Sequence, residues 1–376
     1  MLVNNKFQIK SPTFLTPGDP APGFRQRSFD NPQYSFDSAA GRYLVLCFYG
    51  SAADSHAQAA LAAAHGRPDI FDDRRACFFG VSVDPADEAT GRVQNRIPGY
   101  RHFWDFDLMA CRLYGVTEQT ASPASGPVSL TRQWVVIDPT MRVIAAIPFA
   151  EDRSDLARVI EVLEAQPAPE RYAGEEIMAP ILLLPRVLEP DLCRHLVGLY
   201  EAEGGEESGF MREIDGKTVG VSDPGFKRRK DYHISDNSLI DALKARFVRR
   251  VVPQIAKIHQ FGVTRMERYI VSCYAAEDGG HFAPHRDNTT KGTAHRRFAV
   301  SVNLNDDFDG GEVSFPEYGP RSFKAPLGGA VVFSCSLLHC VGKVTRGKRY
   351  AFLPFVYDDA AARIREQNAG FIAESG

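Results

Sequence analysis

The sequence lacks the features that would place the chain in a membrane or among exported proteins. It has no stretch near the roughly 18 consecutive apolar residues that a membrane helix requires, and its first residues contain no apolar signal core. We therefore expect neither a membrane partner nor export. The sequence also has no large excess of positive or negative charge, because 44 Lys and Arg are balanced by 47 Asp and Glu. No nucleic-acid partner is therefore expected. There is no CxxC pair to support a zinc ribbon, and no repeat of fixed period.

Cysteine is sparse and odd in number. The seven residues are Cys47, Cys77, Cys111, Cys193, Cys273, Cys335 and Cys340. Several lie between apolar neighbours, so we expect buried thiols in a reducing, cytoplasmic environment rather than disulfides. What the sequence does contain is 44% hydrophobic and 24% charged residues in 376, which is typical of a globular protein of about two domains.

The first half alternates apolar strands with helices, as an α/β domain does. Residues 43–49 and 77–83 are short unbroken apolar runs, typical of strands buried on both faces, with an alanine-rich helix between them. Residues 166–170, Gln-Pro-Ala-Pro-Glu, have the composition of a linker. We therefore divide the chain into a first domain, 1–168, and a second domain, 169–376.

The second half has a different pattern. From residue 267 onward, short strands with frequent Gly and Pro suggest a sandwich or barrel. Residues 204–226, rich in Gly, Ser and acidic side chains, are expected to form a mobile loop that could line a pocket, and 237–258 a helix. The charged run Lys-Arg-Arg-Lys-Asp at 227–231 is expected to be a solvated face, with binding of an acidic or phosphorylated substrate as the alternative.

A group of candidate metal ligands lies in this half. In an extended strand His285 and Asp287 point the same way and can bind one ion from one face. Such a triplet is weak evidence alone, but His339 follows a strong apolar strand and Arg349 lies ten residues later (349 − 339). Two histidines and one carboxylate leave open positions on ferrous iron, and an arginine can hold the far carboxylate of a dicarboxylate co-substrate.

With these residues, the second half resembles the iron(II)- and 2-oxoglutarate-dependent oxygenases, specifically the prolyl 4-hydroxylase-like branch. The resemblance covers residues 186–357 with order and spacing kept. The matching segments are YIVSCY at 269–274, GHFAPHRD at 280–287, RFAVSVNLN at 297–305, GGEVSFP at 310–316 and HCVGKVTRGKR at 339–349.

The resemblance implies a double-stranded β-helix (jelly roll) with supporting helices, and it assigns the site residues. His285, Asp287 and His339 become the ligands of Fe(2+), and Arg349 the anchor for the remote carboxylate of 2-oxoglutarate. Tyr274 and Asn303 become further co-substrate contacts, although Tyr274 could equally be a core aromatic residue. Ascorbate would keep the iron reduced. The Asp287 carboxylate favours hydroxylation or desaturation over halogenation.

The first half resembles the thioredoxin-like peroxiredoxins over residues 14–163, through PGDPAPGF at 17–24, the buried strand ending at Tyr49 and the hairpin at 134–147. Those proteins place a reactive cysteine in the first turn of the next helix, where the helix N-terminus lowers its pKa. Here residues 50–57 contain no cysteine, and Cys47 lies mid-strand. We expect a domain without peroxidase activity that serves docking, dimerisation or substrate presentation.

Together these features predict a thioredoxin-like α/β domain followed by a mainly-β oxygenase domain that acts on a protein prolyl residue, an amino acid or a small metabolite with O₂. Two alternatives stay open at this point. One is a non-catalytic binding scaffold with a vestigial metal site, and the other is a residual thiol peroxidase.

Overall fold

The computed structural model describes residues 15–29, 31–125 and 128–372. These residues fold into two compact units. The first runs up to Ile177 and includes Glu317–Gly319, and the second comprises Met178–Pro316 and the residues from Pro320 onward. The division lies shortly after the boundary predicted at residue 168.

The first unit is built on a five-stranded mixed sheet with the order β5-β4-β3-β6-β7, in which β3, β4 and β5 are parallel. Its strands are β1 Arg25–Ser28, β2 Asn31–Ser35, β3 Tyr43–Gly50, β4 Ala76–Ser82, β5 Tyr100–Trp104, β6 Gln133–Ile137 and β7 Val143–Pro148. Its helices are α1 Ser55–His65, α2 Pro85–Ala89, α3 Met109–Leu113 and α4 Ser154–Glu164, with 3-10 turns at Phe36–Ala39, Pro123–Ser125 and Pro169–Arg171.

The centre of this sheet is buried on both sides. Every residue of β3 and β4 is buried, which explains why these strands are unbroken apolar runs rather than alternating ones. Helix α1 begins where the Asp54 carboxylate accepts the backbone N–H groups of His56 and Ala57, as an N-cap does. The structure therefore has the α/β arrangement that the sequence predicts for this half.

The second unit is mainly β. Its strands are β8 Leu182–Leu184, β9 Glu206–Glu207, β10 Phe210–Ile214, β11 Lys217–Val221, β12 Lys227–Arg228, β13 Lys230–His233, β14 Arg265–Glu267, β15 Ile270–Ala275, β16 His281–His285, β17 Phe298–Asn303, β18 Asp309–Gly310, β19 Val313–Ser314, β20 Ser322–Phe323, β21 Ala330–Ser334, β22 His339–Val341, β23 Val344–Arg346, β24 Lys348–Phe352 and β25 Phe355–Tyr357. Its helices are α5 Pro190–Glu203, α6 Asn237–Arg250, α7 Val252–His259 and α8 Asp359–Gln367. Further 3-10 turns stand at Lys291–Thr293, Pro316–Tyr318 and Ala369–Phe371.

Two antiparallel sheets form the frame of this unit, the arrangement expected for a double-stranded β-helix. The major sheet has the order β14-β25-β17-β24-β15-β13-β9, with β21 paired to β17 and β8 paired to β21. The minor sheet has the order β12-β16-β22-β19-β20. One face of the major sheet packs on helices α5, α6 and α7 through an apolar core that includes Leu196, Leu243, Phe247, Val271, Val302 and Phe352. The alternate residues of the same strands, on the opposite face, include Tyr274, Asn303 and Arg349.

Two expectations for this unit are wrong. Residues 204–226 are not a continuous loop, because β10 and β11 form a regular hairpin across Asp215-Gly216, both with positive φ. An Asp-Gly pair fits the left-handed conformation that a two-residue hairpin turn requires. The charged run 227–231 is not a solvated face either, since Lys227, Arg229 and Asp231 are buried.

The helix predicted at 237–258 is interrupted at Val251, where α6 gives way to α7 with Pro253 in its first turn.

In the part of the chain that the structure describes, no helix combines the length and the apolar character needed to cross a bilayer.

Candidate metal centre

Three side chains that can bind a metal converge where two strands of the minor sheet meet. His285 ends β16 and His339 begins β22, and the two residues are directly paired across these antiparallel strands. Asp287 follows β16 by two residues. One ligand atom from each of His285, Asp287 and His339 lies within 4.8 Å of the others. The sheet register thus brings together residues that are more than fifty positions apart in the sequence.

Each imidazole is oriented by a backbone carbonyl group two residues earlier in the chain. Nδ1 of His285 lies 2.8 Å from the carbonyl oxygen of Ala283, and Nδ1 of His339 lies 3.0 Å from that of Leu337. A ring nitrogen facing a carbonyl oxygen donates its N–H, so the neutral rings carry their lone pairs on Nε2. Those Nε2 atoms lie 3.5 Å and 3.3 Å from the carboxylate oxygens of Asp287. Three atoms with lone pairs that face one another are stabilised by a cation between them. Two imidazole nitrogens and one carboxylate oxygen form a ligand set that suits a ferrous ion.

The electrostatics favour ligand forms that are ready to bind. Burial, followed by the nearby His285, lowers the pKa of His339 to about 4, so its ring is neutral at pH 7. Burial alone would raise the pKa of Asp287, but His339 and His285 outweigh it and hold the pKa well below its usual range. A neutral imidazole and a carboxylate are the protonation states in which these side chains bind a divalent metal.

Aromatic rings enclose the histidines. The ring of Phe282 stacks on His285 with 3.5 Å between centroids, and the ring of Phe333 lies 4.5 Å from His339. His339 itself is 4% exposed. These rings limit the access of water to the centre and fix the positions of the imidazoles, as a preformed metal site requires.

Arg349 lies on the polar face of the major sheet with an incomplete set of partners. The side chain is 2% exposed, its Nε donates to Oδ1 of Asn303 at 3.0 Å, and one terminal nitrogen donates to Oγ of Ser301 at 2.7 Å. The other terminal nitrogen, Nη1, is buried without a hydrogen-bond partner. Burial lowers the pKa of Arg349 from its usual value. A buried guanidinium with neutral partners and a vacant donor fits a bound carboxylate.

Tyr274 completes this group from the neighbouring strand. It is paired with Arg349 across β15 and β24, and its ring centroid lies 5.4 Å from the Arg349 guanidinium carbon. Tyr274 also belongs to the apolar cluster that contains Phe282, the ring stacked on His285. The structure therefore brings Tyr274, Asn303 and Arg349 together, and the Phe282 cluster connects them to the metal ligands.

Other cations near the motif have partners of their own. Lys348, next to Arg349, points away from it and lies 3.4 Å from Glu201 with a half-exposed side chain. Arg296 pairs with Glu267 at 3.0 Å. The sequence alone does not distinguish the buried Arg229 and Asp231 from the rest of the run 227–231, because a continuous run of charges hides which of its members face inward. Their period-two spacing in a strand was the available signal.

In the first unit, an ion pair lies at the start of α1, the position where the resemblance to peroxiredoxins leads one to expect a reactive cysteine. The Asp54 carboxylate that caps α1 also accepts from the guanidinium of Arg132. Cys47 is fully buried in β3, and burial raises the pKa of its thiol well above the usual value. A thiol in this state is a poor nucleophile.

Comparisons with known proteins agree with both halves of this description. Residues 269–357 match the 2OG-Fe(II) oxygenase superfamily model, and residues 17–146 match the AhpC/TSA family model. A PKHD-type hydroxylase of Pseudomonas fluorescens (strain Pf0-1) is 36% identical over 109 residues, which cover 27% of this chain and 46% of that protein. The chain spans less than half the length of the curated relatives it matches.

Solved structures are similar to each half in turn. A prolyl-4-hydroxylase from Pseudomonas putida superposes with a TM-score of 0.34 at 16% identity, covering 50% of this chain and 95% of the other. Mycobacterium tuberculosis AhpC superposes with a TM-score of 0.33 at 19% identity, covering 40% and 93%. The two family matches confirm both resemblances and the predicted fold classes, and the oxygenase match implies iron(II) and 2-oxoglutarate. The chain carries an AhpC/TSA peroxiredoxin-like domain followed by a 2OG-Fe(II) oxygenase domain.

Proposed function

We propose that the chain is an Fe(II)- and 2-oxoglutarate-dependent dioxygenase that hydroxylates its substrate. The observation that carries this proposal is the presence of two complementary groups of side chains in one unit. One ligand atom each of His285, Asp287 and His339 lies within 4.8 Å of the others. The buried Arg349 has a terminal nitrogen, Nη1, without a hydrogen-bond acceptor. A ferrous ion satisfies the first group and a carboxylate the second.

The roles of the metal residues follow from their surroundings. His285 and His339 would hold iron through Nε2, since their Nδ1 atoms face backbone carbonyl groups, and Asp287 would hold it through a carboxylate oxygen. When bound, iron with 2-oxoglutarate supplies the activation of O₂, with release of succinate and CO₂. Phe282 and Phe333 keep water from the histidines and hold their rings in place.

The co-substrate residues position a dicarboxylate. Arg349 would bind the carboxylate remote from the metal through Nη1 and one further N–H, while Ser301 and Asn303 fix the plane of its guanidinium. The Asn303 side chain is itself fixed, because its Nδ2 donates to the carbonyl of Ala325 at 2.7 Å. Tyr274 packs against the guanidinium and offers its hydroxyl group to the co-substrate. Ascorbate belongs to the proposal as a reductant that keeps the iron ferrous.

Hydroxylation is favoured by the similarity to PKHD-type hydroxylases, which are 32% identical over 94 residues and 36% identical over 109 residues. A prolyl residue of a protein, a free amino acid and a small metabolite are the substrate classes of the proposal. Desaturation stays the alternative reaction, since both use the same metal ligands.

The proposal is tested by metal content and by 2-oxoglutarate turnover. We expect one ferrous ion per chain after anaerobic loading, retention of labelled 2-oxoglutarate in equilibrium dialysis only when metal is present, and succinate formation with a panel of metabolites and peptides. Protein that binds neither iron nor 2-oxoglutarate would favour the non-catalytic scaffold instead.

For the first unit we propose a docking or dimerisation role without peroxidase activity. The Asp54–Arg132 ion pair at the start of α1 and the buried Cys47 thiol support the absence of peroxidase activity, and the docking or dimerisation role is what this proposal leaves for the unit. Sedimentation of the full chain and of a variant with charge reversed at exposed positions of this unit would test self-association. A cytoplasmic location stays a prediction from cysteine content.

A further inference from the structure

Charged side chains face the interior of the second unit where the chain passes from the minor to the major sheet. Lys227 on β12 pairs with Phe282, and Asp231 on β13 pairs with Ser272. Lys227, Arg229 and Asp231 occupy alternate positions and are 7%, 5% and 5% exposed. Ionised groups at buried positions are unfavourable unless each one is paired, so their partners decide what this corner can do.

The Asp231 carboxylate in this corner already accepts from several donors. One oxygen of Asp231 accepts from Arg229 at 2.6 Å and from the hydroxyl of Ser208 at 2.5 Å, and Arg268 lies 3.4 Å from it. The other oxygen accepts from the hydroxyl of Ser272 at 2.6 Å. Two guanidinium groups thus share one carboxylate, which leaves a positive surplus before Lys227 is counted.

The cations themselves have vacant or weakly used donors. Nε of Arg229 is buried without a hydrogen-bond partner, and its Nη1 reaches the hydroxyl of Tyr274 only at 3.4 Å. The ammonium group of Lys227 donates to neutral oxygens, those of Ser208 and Gly209. Burial, followed by the charge of Arg229, lowers the pKa of Lys227 to about 6, so this amine is mostly neutral at pH 7 and becomes charged when an anion beside it raises that pKa. The unpartnered Nε of Arg229 and the weakly used Nη1 are therefore donors that a further acceptor can use.

This corner adjoins the candidate centre without being used by it. The Lys227 ammonium lies 4.9 Å from the centroid of Phe282, whose ring stacks on the metal ligand His285. The guanidinium carbon of Arg229 lies 5.8 Å from the centroid of Tyr274, the ring that Arg349 also contacts. The proposed roles of iron and 2-oxoglutarate involve none of these cations.

We infer that Lys227, Arg229 and Arg268 bind an oxyanion group of the substrate, a carboxylate or a phosphate, and thereby select acidic substrates for the iron centre. This inference rests on the proposed function and specifies its substrate class. A bound oxyanion would accept from Arg229 Nε and balance the surplus charge that Asp231 leaves.

The test uses simple probes, because it must not depend on knowing the substrate. The full chain is loaded with Mn²⁺ and 2-oxoglutarate and titrated with acetate, methyl phosphate or acetamide at constant ionic strength set with sodium chloride. Thermal unfolding reports binding through mass action. We expect acetate or methyl phosphate to bind at least about tenfold more tightly than acetamide, and the stronger of the two identifies the oxyanion.

Variants locate the binding. Arg229→Gln and Arg268→Gln should each remove the preference for the anion, whereas Arg228→Gln, an exposed neighbour on β12, should keep it. If Arg229→Gln does not fold, the binding of the anionic probes relative to acetamide is compared between the natural chain and Arg268→Gln, and this comparison still tests whether the corner binds an oxyanion.

The inference would be overturned if neither acetate nor methyl phosphate bound more tightly than acetamide, or if Arg228→Gln lost the preference for the anion. Loss of 2-oxoglutarate binding in Arg229→Gln, measured by dialysis, would also overturn it by assigning Arg229 to the co-substrate. Failure of the natural chain to bind 2-oxoglutarate with metal would instead refute the proposed function. The two failures are therefore distinguishable.

Discussion

Removing the Arg349 side chain should weaken the binding of 2-oxoglutarate while sparing the metal. Arg349 is buried on β24, and its strand neighbours offer no second cation on the same face, since Lys348 points outward to Glu201. In Arg349→Ala the remote carboxylate would face the Ser301 hydroxyl as a donor, but also Oδ1 of Asn303, which now repels it. Leaving one partner of a buried charged pair unpaired costs about 2–5 kcal/mol.

That free energy corresponds to a rise of about 30-fold to several thousandfold in the apparent Michaelis constant for 2-oxoglutarate. The retained Ser301 hydroxyl places the expectation toward the lower end. Arg349→Lys should fall between the natural chain and Arg349→Ala, because an ammonium keeps the charge but cannot bind Ser301, Asn303 and a carboxylate together in one plane.

The assay is succinate formation against 2-oxoglutarate concentration, with iron content measured on the same samples. Lys348→Ala is the matched control, and its constant should be nearly unchanged because its contact with Glu201 is half-exposed. An unchanged constant in Arg349→Ala together with a large rise in Lys348→Ala would refute the reasoning and move the anchor to Lys348. Loss of iron from Arg349→Ala would show that the arginine supports the fold rather than the co-substrate.

Three further predictions concern other parts of the chain. His339→Ala should lose most of its iron and its succinate formation, since two remaining ligands cannot fill one face of the metal, and full iron occupancy by elemental analysis would show a misassigned ligand. Peroxide consumption with thioredoxin or glutathione should be absent, and robust turnover that disappears in Cys47→Ser would restore the thiol peroxidase. His102 should make the first unit less stable in acid: burial lowers its pKa to about 3, so between pH 6.5 and 3 the unfolded chain binds the extra proton and the free energy of unfolding falls as pH falls. Denaturant unfolding of His102→Gln should show a shallower pH slope, by up to about 1.4 kcal/mol per pH unit, and identical slopes would contradict the assignment.

Sequence reasoning went furthest where residue type and spacing carry the chemistry. The order of His285, Asp287, His339 and Arg349 was enough to predict one site, because strand alternation and the family resemblance limit where such residues can lie. It was weaker where tertiary context overrides composition. The segment 227–231 is charged at every position, so its hydropathy shows no inward face, and only the pairing of β12 and β13 with their neighbours reveals one. The Asp215-Gly216 pair is itself a signal for a hairpin turn, but the acidic and small residues around it favour the prediction of a loop.

The bonds from His285 to Ala283 and from His339 to Leu337 have a consequence for how metal and folding are linked. Each imidazole is held by a carbonyl group only two residues earlier in the chain, so its orientation depends on the local backbone and not on the ion. The conformational entropy of both rings is then lost when the sheet folds, before any metal arrives. Folding should accordingly not require the metal, in contrast to small zinc domains that unfold when their ion is removed. Chelation should leave a folded chain with nearly unchanged circular dichroism, which regains full iron occupancy without a refolding step.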